Sequence, residues 1–159
     1  DVLKKAAPYV TSISSNKSSH MQLASKQTSH FKQPFLVQNF NELTTELKKR
    51  FLGRYGYHAQ ALLFHAKSLH NGFVKIGTTD TVWAELSWSC QNESIQHLDD
   101  LLLRRTRIGL LLDQGAEKHI EQIKNICQQY LAWNDEKWEK ELKRYQNIIN
   151  THYSLPELK

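Results

Sequence analysis

Apolar residues recur at helical spacing through most of the chain. Phe40, Leu43, Leu47 and Phe51 fall on one helix face, and Asn39 followed by Glu42 has the form of a capping box at its start. Gly53 and Gly56 bracket GRYG, which predicts a turn. Ala59, Leu62, Leu63, Ala66 and Leu69 give a second stripe, ended by Asn71-Gly72. FVKIGTTD (73–80) is the stretch with extended character, long enough for a connector or a small strand. A third helix is predicted over TVWAELSWSC, with Trp83, Leu86 and Cys90 on one side. A fourth covers HLDDLLLRRTRIGLLL (97–112), apolar at Leu98, Leu101, Leu102, Ile108, Leu111 and Leu112, with Gly109 weakening or bending it. Ala116, Ile120, Ile123, Cys127 and Tyr130 define a fifth. The sixth starts at Asn134 as N-cap, with Trp133 and Trp138 as a hydrophobic staple. Its stripe continues through Leu142, Tyr145, Ile148 and Ile149, and Pro156 lies beyond its end.

Six helical patterns with almost no strand signal predict an all-α fold. The expected architecture is a single helical bundle-like domain over 36–159, preceded by a linker or poorly ordered arm over 1–35. Residues 11–33 are rich in Ser, Thr, Lys, Gln and His, so they bury too little apolar surface to offset their ordering entropy. The net charge of +5 is concentrated there: residues 1–35 hold five lysines and one acid, and the remainder is nearly balanced. No stretch approaches the ~20 apolar residues of a membrane span. Cys90 and Cys127 lack any CxxC spacing and read as reduced thiols of an intracellular protein. No signal peptide is evident. The chain opens on Asp1 rather than Met, so a piece of a longer protein is the expectation.

Several chemistries lack their motifs. GxGxxG, GxxxxGK[ST] and HExxH do not occur, so no dinucleotide cradle, phosphate cradle or zincin site is predicted. His58 and His65 could share a helix face, but no converging ligand set accompanies them, and no metal site is expected. Cys127 lies on an apolar stripe and reads as a core thiol. Trp83, Trp88, Trp133 and Trp138 could stack on bases beside basic residues, which would suit a stand-alone basic helical module binding nucleic acid. Core filling is the favoured reading, and no nucleic-acid partner is expected. A small hydrolase has no nucleophile–base constellation to support it.

The densest polar cluster is Asp99, Asp100, Arg104, Arg105 and Arg107, with Glu85 upstream. Asp100 and Arg104 are one turn apart and can pair. Arg105 follows Leu101 by four and precedes Ile108 by three, on the apolar side, where its charge needs a buried acid. Glu85 is the expected partner, so an internal ion-pair network is favoured over a ligand site.

This cluster resembles a known signature. HLDDLLLRRTRIGLLL (97–112) is similar to a segment of the C-terminal helical domain of FAD-dependent glycerol-3-phosphate dehydrogenases and alpha-glycerophosphate oxidases. RYG at 54–56, VWAELSW at 82–88 and ICQQYLAWNDEKWEKELKRYQNI at 126–148 agree in order, and the resemblance covers about residues 40–155. Residues 1–35 are not matched to the family pattern. The resemblance carries over a structural or interdomain motif: Asp99, Asp100, Arg104, Arg105, Thr106 and Arg107. It implies a parent that oxidises glycerol 3-phosphate to dihydroxyacetone phosphate and passes electrons to a quinone or to oxygen. FAD and the catalytic residues belong to a larger N-terminal portion in such a parent. This chain alone is then expected to bind no cofactor, to lack catalysis, and to pack on that flavin portion or help build a homo-oligomer. A cytoplasmic location, with the parent peripheral on the membrane surface, is the matching expectation.

Overall fold

The computed structural model describes Phe40 and residues 43–153. The fold is all-α. The helices are α1 (Thr45–Tyr55), α2 (Ala59–Ser68), α3 (Trp83–Asn92), α4 (Ile108–Leu111), α5 (Ile120–Leu131) and α6 (Asp135–His152). The 73–80 stretch contributes one antiparallel bridge, Lys75 to Val82.

Several helix ends have a local cause. Thr44 caps α1, its hydroxyl accepting from the Leu47 amide at 3.3 Å. The expected Asn39–Glu42 box lies outside the described residues. Helix α1 runs through Gly53 and stops at Gly56, whose φ of 48° takes the chain out of the right-handed region. Helix α2 ends at Ser68, before Asn71-Gly72. A side chain at Gly72 would strike the Ala66 carbonyl, so this loop lies tightly on the helix end. Asn134 caps α6 as expected, its Oδ1 accepting from the Lys137 amide at 2.8 Å.

Helix α3 is the centre of the fold. Trp83, Leu86 and Cys90 face a core shared with α5 and α6, including Leu98, Leu101, Ile123, Cys127 and Trp138. Its opposite side meets a second cluster, where Ala84 packs with Phe40, Phe51, Leu62, Leu63 and Ala66 of the α1–α2 hairpin. A helix covered all round is a buried helix, so the single apolar side read from spacing understates it. Buried Ala84, Ser87 and Ser89 keep that second side narrow. Ser87 Oγ lies 2.7 Å from His65 Nε2, which pins α2 to α3.

Two expected helices are corrected. Residues 97–112 do not form one helix. A π-helical turn, Asp100–Arg105, closes when the Thr106 amide and hydroxyl both donate to the Leu101 carbonyl, at 3.0 and 2.7 Å. The chain breaks at Arg107, where φ is 60°, and not at Gly109. Leu98, Leu101, Leu102 and Ile108 are buried, but the phase change turns Leu111 outward, 62% exposed. Gly109 instead permits a close approach, since a Cβ there would collide with the Tyr145 hydroxyl. Ala116 is buried but belongs to a left-handed turn, Gln114 to Ala116, and α5 begins at Ile120.

Candidate interdomain site

The polar cluster lies around the π-helical turn, and three helices reach it. Asp100 works locally. Its Oδ2 accepts from the Gln96 and His97 amides at 3.2 and 3.0 Å, and its Oδ1 from Arg104 at 2.8 Å. The Asp100–Arg104 pair therefore forms as the spacing predicts. Asp99 is buried, and its partners are Arg144 of α6 and, at 3.5 Å, Arg104. No sequence signal marked Arg144, which reaches Asp99 only because α6 crosses the turn.

Arg105 does not meet Glu85. Its side chain is 45% exposed and pairs with Glu93 at the end of α3, at 3.2 Å. The assignment to the apolar side assumed continuous α-helical phase, and the wider π turn rotates Arg105 outward. Its backbone carbonyl accepts from Arg54 of α1. Thr106 is buried in the closure described above, and Arg107 is exposed with no ion pair among the described residues.

Glu85 belongs to a separate hub. It is fully buried at the start of α3 and accepts from Arg50 Nε at 3.0 and 2.8 Å, one bond to each oxygen. Tyr55 Oη donates to it at 3.0 Å and the Val82 amide at 2.9 Å. Arg50 also donates to Thr81 at 2.8 Å. Burial, followed by the Glu85 charge, raises the Tyr55 pKa and keeps the phenol a donor.

A third knot lies beside the turn. The buried carboxylate of Glu141 accepts from Lys137 at 2.9 Å and from the Leu98 amide at 3.3 Å, and its two oxygens are each 3.1 Å from His97 Nδ1. Burial pushes its pKa up, but hydrogen bonds from Lys137, His97 and Leu98 outweigh it and leave the group below its ordinary value. Arg54, Glu93 and Arg144 thus tie α1, α3 and α6 to the turn or its flank, and the Glu85 hub separately joins α1 to α3.

His58 and His65 both lie against the Trp88 ring, with centroids 6.4 and 6.0 Å away. No metal-sized group of His, Cys, Asp or Glu occurs among the described residues. Cys127 contacts Cys90 in the core, and that hydrogen bond, followed by burial, raises its pKa. Trp83, Trp133 and Trp138 are buried and Trp88 half-buried, so the stacking surface of a nucleic-acid module is occupied by the core. No helix among the described residues is long and apolar enough to cross a membrane.

The chain belongs to a family described as the C-terminal domain of alpha-glycerophosphate oxidase, matched over residues 14–138. That match starts inside the segment set apart as an arm, earlier than the motif resemblance reached. A curated relative from Dictyostelium discoideum, named "Probable glycerol-3-phosphate dehydrogenase, mitochondrial", is 27% identical over 117 residues, 74% of this chain. The chain spans only 18% of that relative's length. No solved structure matches.

Proposed function

We propose that this chain is the non-catalytic C-terminal domain of a flavin-dependent sn-glycerol-3-phosphate dehydrogenase. The family match over residues 14–138 carries the reading. The parent would oxidise glycerol 3-phosphate to dihydroxyacetone phosphate on a separate flavin portion. The domain would serve packing, interdomain contact or oligomerisation. FAD needs a strand–glycine–helix cradle for its pyrophosphate. The described residues offer helices and one bridge, so they do not fit that group. Residues 36–159 would form the domain, with 1–35 a linker or arm. Asp99, Asp100, Arg104, Arg105, Thr106 and Arg107 would shape the turn, and Glu85 would secure α1 to α3. Cytoplasmic location with peripheral membrane attachment of the parent belongs to the same proposal, although the relative's name says mitochondrial.

The test has two arms. The purified chain should show no flavin absorbance and no dye-coupled oxidation of glycerol 3-phosphate above background. The full reading frame that contains it should encode a GxGxxG turn between a strand and a helix, upstream. Flavin or activity in the isolated chain, or a reading frame without a flavin portion, would overturn the reading.

A further inference from the structure

One exposed apolar ridge is held between two left-handed turns. Arg107 precedes α4 at φ 60°, and Gln114, Gly115 and Ala116 follow it at 49°, 66° and 68°. Non-glycine residues persist in this region only where surrounding contacts over-determine them. Those contacts are present. The Thr106 closure fixes the first turn, and Tyr145 Oη donates to the Gly115 carbonyl at 2.8 Å in the second. A Cβ on Gly115 would sit 2.8 Å from Ile149 Cγ1, so the second turn is also pressed onto α6.

This frame buries Ile108 completely and presents Leu110 and Leu111 to solvent, 47% and 62% exposed. Arg107 stands exposed beside them. A groove of about 1180 Å³ runs from Leu110 along α6 to Tyr153, itself 55% exposed. The groove is polar as well as apolar, lined by Asp113, Gln114, Glu117 and Gln146 beside Leu110, Leu112 and Ile149, and Leu111 lies outside it, so the apolar ridge is the Leu110–Leu111 pair itself. A rigid frame of this kind lowers the ordering cost of docking.

The occupant follows from the length of chain outside this unit. The aligned segment is 18% of the relative's chain, so most of such a protein lies elsewhere. We infer that Arg107, Leu110 and Leu111 form the ridge that docks this domain onto the flavin portion of its parent. The receiving surface is an apolar recess with an acidic rim, the carboxylate meeting Arg107. This inference rests on the proposed function and adds the face that makes the contact.

Thiol labelling of Leu111→Cys tests it. The native Cys90 and Cys127 are buried, so background labelling is low. The rate is compared between the 159-residue chain and the full-length parent, with Leu110→Cys as a second reporter and Tyr57→Cys as the control. Labelling at both ridge positions should slow at least roughly tenfold in the parent, a coverage of about 1.4 kcal/mol, and the control should not change. Arg107→Glu in the parent should return the ridge rate towards that of the isolated chain. Equal ridge rates in a parent that does carry a flavin portion would overturn the docking face while leaving the proposed function standing. Protection already present in the isolated chain and lost on dilution would also overturn it, because a second copy would then be the occupant. An unchanged rate in Arg107→Glu would overturn the acidic rim.

Discussion

Removing Arg50 should destabilise the fold far more than removing Arg105. Arg50→Ala strands the Glu85 carboxylate, which is fully buried and loses both guanidinium bonds. Breaking a buried pair by deleting one partner costs ~3–5 kcal/mol. Arg50 is 23% exposed, so water can reach part of the vacated space and the low end, about 3 kcal/mol, is expected. Tyr55 and the Val82 amide still donate to Glu85, which favours the same end. Arg105→Ala loses only a partly exposed pair with Glu93, worth ~0.2–1 kcal/mol. Urea unfolding at neutral pH measures both. Adding Glu85→Gln to Arg50→Ala should cost less than the sum of the singles, because the stranded charge is removed with its partner. A loss below about 1 kcal/mol for Arg50→Ala, equality with Arg105→Ala, or strict additivity of the double variant would refute the hub.

Trp138→Ala should cost ~3–5 kcal/mol by chemical denaturation, since the indole is 2% exposed in the main core; a surface-sized loss would show that it packs elsewhere. Gly109→Ala should cost ~1–3 kcal/mol through the clash with the Tyr145 hydroxyl, and adding Tyr145→Phe, which by itself gives up the bond to the Gly115 carbonyl, should cost less than the sum of the two singles. Strict additivity would mean that the hydroxyl is not the obstacle. Burial lowers the His65 pKa. The unfolded chain therefore takes up this proton first as pH falls, so His65 contributes stability above about pH 6.5 that is lost below it. The urea midpoint should fall between pH 7.5 and pH 5 by more in the wild type than in His65→Gln, and identical pH dependence in the two would exclude the effect.

Helix existence was legible because burial imposes a 3.6-residue period wherever one face is covered. The stripes of α1, α2, α5 and α6, the Asn134 cap and the Asp100–Arg104 pair all follow from neighbours in sequence. The signature segment was legible as a motif, and the family match agrees with it. Its geometry was not legible from spacing. One π turn shifts the phase of everything after it, so Arg105 and Leu111 face solvent instead of the core. The left-handed residues Arg107, Gln114 and Ala116 carry no glycine signal, because distant contacts from Leu101, Tyr145 and Ile149 hold the turns. The partners of the buried acids were equally hidden. Arg50 is 35 residues from Glu85 and Arg144 is 45 from Asp99. Local periodicity encodes which side of an element is apolar, whereas the pairing of charges depends on which elements cross. The sequence by itself therefore determined an all-α chain and its family, while the tertiary structure decided which charges are internal and which ridge faces outward.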